Sequence, residues 1–178
     1  IDKVIRLGKA APERTRPKSG AIGRGIPSLA MPNCVAIGAS TGGIPVIFEI
    51  IKNLDPALQC PIFIVQHLPE AFMDFFARQL RLHTDRPVSV AGYGEAVLDG
   101  HIYVAPGHSH LVCRKERGRV LLDHLHNIEI SRYCPSVDVL LGSVARVYGA
   151  DALAIVLSGM GNDGTAGARE MAGKGASI

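Results

Sequence analysis

Three short loops in this sequence carry side chains that could perform hydrolytic chemistry together. Ser40 lies within residues 38–42 (GASTG), which match the G-x-S-x-G pattern of a nucleophile elbow. His67 follows an apolar run in residues 66–69 (QHLP), and Asp163 lies in the glycine-rich residues 158–164 (SGMGNDG). A serine, an imidazole and a carboxylate are the groups of a catalytic triad, in which the histidine takes the serine proton and the acid orients the histidine. Because geometry rather than chain order defines a triad, the order Ser, His, Asp is no objection.

Each of these residues also has an ordinary interpretation. The loop around Ser40 could be a plain glycine turn or a phosphate cradle, because the backbone N–H groups that begin a helix bind anions. It lacks the Lys of a P-loop and a strict G-x-G-x-x-G pattern. A His at a strand end is typical of a hydrogen-bonded structural or surface residue, and Asp163 could be the N-cap of a helix that begins at Thr165. Local sequence leaves these alternatives open.

Two H-x-H pairs raise the question of a metal site. They are His108 with His110 and His124 with His126. On a strand such a pair places both rings on one face, but no familiar zinc spacing of Cys and His is present. We predict no metal and no cofactor.

The three loops follow apolar runs that are typical of buried parallel strands. These runs are residues 34–38, 62–65 and 152–157, and each is followed by residues with helical spacing of apolar side chains. The alternation predicts an α/β fold with a doubly wound, mostly parallel sheet flanked by helices. Because the carboxyl ends of parallel strands meet at one edge, we expect Ser40, His67 and Asp163 to be neighbours.

Other segments complete the expected fold. Between residues 88 and 124 the apolar runs become short, and residues 115–118 (KERG) predict the turn of an antiparallel β-hairpin insertion. Ser136 is expected to cap a helix over residues 137–148. Phe72, Phe75 and Phe76 are expected in the core because they have helical spacing.

The distribution of charge argues against a nucleic-acid partner. The formal net charge is +3, but the first 25 residues hold seven Lys and Arg against two acidic residues, and the other 153 hold 12 basic against 14 acidic. The basic character therefore belongs to an N-terminal segment. Residues 1–32 are rich in Pro and Gly without periodicity, which predicts a linker.

Cysteine usage and hydropathy indicate a cytoplasmic chain. The four cysteines are widely spaced, as in reduced cytosolic proteins rather than secreted disulfide scaffolds. No apolar run approaches the ~18 residues that would span a bilayer, so no membrane insertion is predicted.

Five ordered blocks resemble the catalytic domain of the bacterial chemotaxis protein-glutamate methylesterases, the CheB family. They are residues 37–43 (IGASTGG), 66–69 (QHLP), 103–107 (YVAPG), 135–140 (PSVDVL) and 158–164 (SGMGNDG). The resemblance implies Ser40 as nucleophile, His67 as base and Asp163 as orienting acid. It also implies an oxyanion hole formed by the backbone N–H groups of Thr41 and Met160.

The resemblance further implies a reaction and partners. The reaction is hydrolysis of glutamate γ-methyl esters on the cytoplasmic helices of chemoreceptors, with glutamine deamidation as an additional activity. Members usually carry an upstream receiver domain that a histidine kinase phosphorylates. Residues 1–32 would then be an interdomain linker and residues 33–178 a catalytic domain that lacks its C-terminal end. The chain departs from the family's Arg-rich stretch before Pro135, and Arg132 is the candidate for binding substrate, with a surface arginine as the ordinary interpretation.

One alternative function remains from the residues themselves. A nucleotide- or phosphate-binding α/β module would use the Ser40–Gly43 loop as an anion cradle.

Overall fold

A five-stranded parallel sheet forms the centre of the computed structural model, which describes residues 31–126, 130–157 and 161–178. The described strands are β1 (Cys34–Ala39), β2 (Ile62–Gln66), β3 (Val88–Val90), β4 (Ile102–Val104), β5 (His110–Glu116), β6 (Arg119–Leu125) and β7 (Ala152–Val156). The order across the sheet is β3-β4-β2-β1-β7, with every neighbouring pair parallel. This order places β1 and β2 side by side near the middle.

Helices cover both faces of the sheet. They are α1 (Gly43–Lys52), α2 (Met73–Arg81), α3 (Val137–Tyr148) and α4 (Thr165–Gly173). Alternate residues of β1 face opposite ways: Val35 and Ile37 pack with α1 and α2, whereas Cys34 and Ala36 pack with α3 and α4. A strand buried on both faces has no polar side, which explains its continuous apolar run. The predicted doubly wound sheet is confirmed.

The β-hairpin formed by β5 and β6 is the antiparallel insertion that the sequence predicted. Glu116 pairs with Arg119, so that Arg117 and Gly118 form a two-residue loop. Both loop residues have positive φ, 49° and 81°, as a type I′ turn requires. Leu111 and Leu122 pack in the same core as α3, so the hairpin is part of the layer on that face.

The prediction for the phenylalanines is wrong at two positions. Phe76 is buried, but Phe72 and Phe75 are 55% and 54% exposed. Residues 70–72 form a short 3₁₀ turn and α2 begins only at Met73. The apolar stripe of α2 is therefore set by Met73, and its buried members are Met73, Phe76, Ala77 and Leu80.

The start of α3 comes exceptionally close to β1. A Cβ atom at Gly38 would lie 2.2 Å from Cγ1 of Val137, the first residue of α3. Gly42, in contrast, has a φ of 81° at the N-cap of α1. The two glycines around Ser40 are thus needed for different reasons. The positive φ of Gly42 allows the chain to turn, and the missing side chain of Gly38 leaves room for α3.

The described residues near the two ends of the chain can be compared with the predicted domain boundaries. Of the predicted linker, residues 1–32, only Met31 and Pro32 lie within the described residues, so the linker stays a prediction. Ser177 makes a parallel bridge with Leu153 at the outer edge of β7. In the described ranges no helix has the length and apolar character needed to cross a membrane.

Candidate active site

The parallel register of β1 and β2 brings Ser40 and His67 to the same edge of the sheet. Ala39 is paired with Gln66, so Ser40 and His67 are the next residues on two neighbouring strands. The pairing extends one step further, since the His67 N–H donates to the Ala39 carbonyl at 3.1 Å. The sheet itself therefore fixes the backbones of these two residues relative to each other.

The loop that carries Ser40 is held by a buried side chain as well. The Ser40 carbonyl accepts hydrogen bonds from the Gln66 side-chain amide at 3.0 Å and from the Gly43 N–H at 2.9 Å. Gln66 is only 2% exposed. The buried Gln66 amide thus fixes the backbone from which the Ser40 hydroxyl projects.

His67 and Asp163 form a hydrogen-bonded pair. His67 Nε2 lies 2.8 Å from Oδ2 of Asp163, and the two side chains are 18% and 2% exposed. With Nε2–H donating to the ionised carboxylate, the neutral ring has its lone pair on Nδ1. Nδ1 is therefore the nitrogen that can accept a proton from a nucleophile.

Asp163 accepts three more hydrogen bonds, all from the start of α3. The donors are the Ser136 hydroxyl at 2.8 Å, the Val137 N–H at 2.7 Å and the Asp138 N–H at 3.0 Å. The positive end of the helix dipole also favours a negative charge here. Burial by itself would raise the pKa of the Asp163 carboxyl, but the bonds from His67, Asp138, Val137 and Ser136 together hold that pKa below its ordinary value.

The alternative interpretation, in which Asp163 caps the helix that follows it, is wrong, because Asp163 binds the start of a different helix. The N-cap of α4 is Gly164, which makes no side-chain capping bond. Asp163 instead binds the first N–H groups of α3, whose N-cap is Ser136, as the sequence predicted. The side chain of Asp138 then accepts the Gly167 N–H at 2.7 Å, linking the starts of α3 and α4.

Two cavities open over these residues. Ser40, His67 and Asp163 line the smaller, of about 200 Å³. Ser40 and His67 also line a larger one of about 510 Å³, together with Thr41 and Arg132. Arg132 is exposed at its wall. Met160, the other residue expected in an oxyanion hole, lies outside the described residues.

Sequence reasoning missed Tyr133. Its ring stacks on that of His67, with centroids 5.0 Å apart and planes 2° apart, and it lines the larger cavity. No motif singled it out, because a ring contact between two loops has no local signature. It also missed the bond from Gln66 to Ser40 and that from Ser136 to Asp163, although both residues lie in the conspicuous QHLP and PSVDVL blocks.

Three histidines of the two H-x-H pairs lie together, since the His108 ring contacts the rings of His124 and His126. His108 Nδ1 lies 3.0 Å from Glu70 Oε1, and His124 donates from Nε2 to the Ala91 carbonyl at 3.0 Å. The His126 ring stacks on that of His108. Within the ranges that the structure describes, no three His, Cys, Asp or Glu residues form a group that could hold a metal ion.

Comparisons with known proteins agree with one another. The family model for CheB methylesterase matches residues 35–178. Proteins named protein-glutamate methylesterase/protein-glutamine glutaminase are similar to this chain. One from Nitrosomonas europaea is 43% identical over 138 residues. The matched residues are 77% of this chain and 38% of that protein. One from Yersinia pestis is 38% identical over 171 residues, 96% of this chain and 49% of that protein. The chain thus spans less than half the length of these two relatives.

A solved structure is similar as well. The crystal structure of the Thermotoga maritima CheB methylesterase catalytic domain is 35% identical in sequence, with a TM-score of 0.78. The match covers 83% of this chain and 78% of that one.

Proposed function

The chain belongs to the CheB methylesterase family, and on that premise we propose that it is a serine hydrolase acting on glutamate γ-methyl esters of chemoreceptors. Deamidation of glutamines is the proposed additional activity, as the double name of the relatives suggests. One observation carries the proposal: His67 and the buried Asp163 side chain form a hydrogen-bonded pair that lines the same cavity as Ser40.

The proposed first step forms an acyl-enzyme. Ser40 Oγ attacks the ester carbonyl while its proton passes to Nδ1 of His67. Asp163 holds the ring through Nε2 and stabilises the imidazolium that results. His67 then gives the proton to the leaving methoxide, and methanol departs. In the second step water attacks the acyl group with His67 again as base. The bond between the acyl carbon and Ser40 Oγ breaks, the glutamate leaves as the free acid, and His67 returns the proton to Oγ.

Backbone N–H groups are proposed to stabilise the oxyanion. Thr41 follows Ser40 directly, one residue before the N-cap of α1, and lines the larger cavity. We propose its N–H as one donor and that of Met160 as the other. Each donor is expected to contribute about 10²–10³-fold in rate.

Arg132 is the proposed contact for acidic groups of the substrate. Its exposed side chain lines the same cavity as Ser40, and a guanidinium suits carboxylates. The proposed partner is the cytoplasmic helical region of chemoreceptors, where neighbouring glutamates would supply such groups. An upstream receiver domain, phosphorylated by a histidine kinase and joined through residues 1–32, is the proposed regulator, and the proposed location is the cytoplasm.

Active-site labelling tests the proposal directly. A fluorophosphonate probe should modify Ser40 of the chain, identified by mass spectrometry of the labelled peptide. His67→Ala should slow labelling by about 10³-fold or more, because the nucleophile loses its base. His108→Ala is the matched control, since that histidine pairs with an exposed carboxylate outside both cavities. Methylated receptor helices should release methanol at a rate that Ser40→Ala abolishes.

The phosphate-binding alternative gives the opposite pattern. In that case the probe leaves Ser40 unmodified, and inorganic phosphate raises the thermal midpoint of the chain. That outcome would overturn the esterase proposal.

A further inference from the structure

We propose that Tyr133 is a positioning residue for His67, acting through the stacked contact of the two rings. The proposal rests on the function proposed above, since it assigns to Tyr133 a part in the same site. Tyr133 does not reach the reacting atoms in this role; it acts through the base.

The contact between the rings is close to parallel. The centroids are 5.0 Å apart and the planes differ by 2°. Aromatic pairs at this distance attract beyond what their buried area explains. The two residues come from loops 66 positions apart in the sequence, so the contact depends on the assembled fold rather than on local chain geometry.

Tyr133 is itself held at both ends. Its N–H donates to the Ser131 hydroxyl at 3.1 Å. Its own hydroxyl lies against the backbone of Gly161, where an added Cβ atom would be only 2.0 Å from that oxygen. Gly161 stands two residues before Asp163, and it leaves the space that the Tyr133 hydroxyl occupies. The tyrosine therefore spans from the ring of His67 to the loop that carries the acid.

The stacked ring of Tyr133 fixes the plane of the His67 imidazole, which the hydrogen bond to Asp163 alone does not fix. The side-chain bond holds Cγ and the hydrogen bond to Asp163 holds Nε2, which leaves the ring plane free to tilt about the line through these two atoms. A flat neighbour fixes the plane, and with it the direction of Nδ1. A tyrosine face within about 6 Å also attracts a cation, so it favours the imidazolium that forms when His67 takes the Ser40 proton. Because that charge appears only during the reaction, the contact should affect the rate constant rather than binding.

The test uses two substitutions at this position and one elsewhere. Tyr133→Phe keeps the ring and removes the hydroxyl, whereas Tyr133→Leu keeps apolar volume and removes the aromatic face. Tyr93→Leu is the matched control, because Tyr93 contacts His124 edge-on outside both cavities. The readouts are kinact and KI for fluorophosphonate labelling of Ser40. We expect Tyr133→Leu to lower kinact about 10-fold with KI unchanged, and Tyr133→Phe to stay within about 2-fold of wild type.

A merely structural role would look different. Loss of stability alone lowers the thermal midpoint but leaves kinact of the folded protein intact. The ring-proton resonances of His67 give a second readout, since protons over an aromatic face are shielded: they should shift in Tyr133→Leu and stay in place in Tyr133→Phe. Should the leucine variant not fold, Tyr133→Met removes the ring with a more adaptable apolar side chain.

The outcomes separate the two proposals. If wild type is not labelled, the proposed function fails. If wild type and Tyr133→Leu are labelled with equal kinact, only the positioning role is overturned. A loss in Tyr133→Leu that Tyr133→Phe does not rescue also overturns it, because the hydroxyl rather than the ring would then matter.

Discussion

Two histidine–carboxylate pairs in this protein have nearly the same contact distance and very different surroundings. His67 and Asp163 are 2.8 Å apart, and His108 and Glu70 are 3.0 Å apart. The Asp163 side chain is 2% exposed, whereas that of Glu70 is 67% exposed. Asp163 accepts three further hydrogen bonds from the start of α3. Glu70 lies on a 3₁₀ turn of three residues and faces solvent.

The difference shows that contact distance alone does not decide what a histidine–carboxylate pair can do. An exposed ion pair contributes about 0–1 kcal/mol, because water screens it and both side chains lose freedom. A buried carboxylate would be costly to ionise without donors, and the first turn of α3 provides them. The helix therefore keeps Asp163 charged and fixed, so that its fourth bond can orient His67.

The largest expected effect comes from removing the buried charge. Asp163→Asn should slow fluorophosphonate labelling of Ser40 by about 10³–10⁴-fold. The reason is that the asparagine amide no longer selects the His67 tautomer with the lone pair on Nδ1. The equivalent change in a serine-protease triad has an effect of this size. Glu70→Gln is the matched change in the exposed pair and should leave the rate within about 2-fold. Equal losses in the two variants would remove the distinction between the pairs.

The charge of Asp163 should also contribute to the free energy of unfolding, and the substitution Asp163→Asn tests this contribution. Because its pKa is held below the ordinary 3.8, the folded state binds this proton less readily than the unfolded state. Its stabilising contribution is thus fully present above about pH 4 and is lost as pH falls through the lower folded pKa. Urea unfolding should show Asp163→Asn less stable than wild type by about 2 kcal/mol at pH 7, the scale of hydrogen bonds to a charged group.

The pH series supplies the check. The difference in free energy of unfolding between wild type and Asp163→Asn should narrow below about pH 4. Other carboxylates titrate in both proteins, so their effects cancel in the difference. A gap that stays constant into acid would mean that the four donors do not favour the ionised form.

Ser136→Ala should have the smallest effect. The hydroxyl donates to Asp163 and accepts from the Val139 N–H, so its loss removes one of four bonds to the acid and the cap of α3. We expect a loss of about 1 kcal/mol in unfolding free energy and a several-fold slower labelling of Ser40. Ser89→Ala is the control, because that hydroxyl lies on β3, at the edge of the sheet, and contacts His101 just before β4. Similar losses in both variants would argue that only general stability is affected.

Much of the fold could be predicted because its signals are local. Apolar runs that end in Gly or a polar residue became β1, β2 and β7, and residues 115–118 predicted the hairpin, whose loop is Arg117 and Gly118. Ser136 could be identified as a cap from its position before an apolar helical stripe. The juxtaposition of Ser40 and His67 followed from a topological rule, since both stand just beyond neighbouring parallel strands.

The remainder depends on contacts between distant segments. Local sequence left open whether Asp163 caps the helix beside it or orients a histidine, and it did not indicate that Asp163 binds a helix whose first residue is 26 positions earlier. The exposure of Phe72 and Phe75 depended on where a 3₁₀ turn gives way to α2, and such boundaries are poorly encoded locally. The stacking of Tyr133 required both loops to be in place before it could be seen.

The attachment of Asp163 to α3 has a consequence for when the proposed activity would arise during folding. His67 and Asp163 are 96 residues apart, and the donors that fix the acid come from a third segment, whose close approach to β1 needs Gly38. Contacts of such long sequence separation form late, because the chain entropy of closing large loops opposes them. If the strands and helices have formed but α3 has not yet packed against the sheet, the chain would therefore be inactive. Labelling of Ser40 would then report the completed tertiary structure during refolding, where circular dichroism reports only its secondary elements.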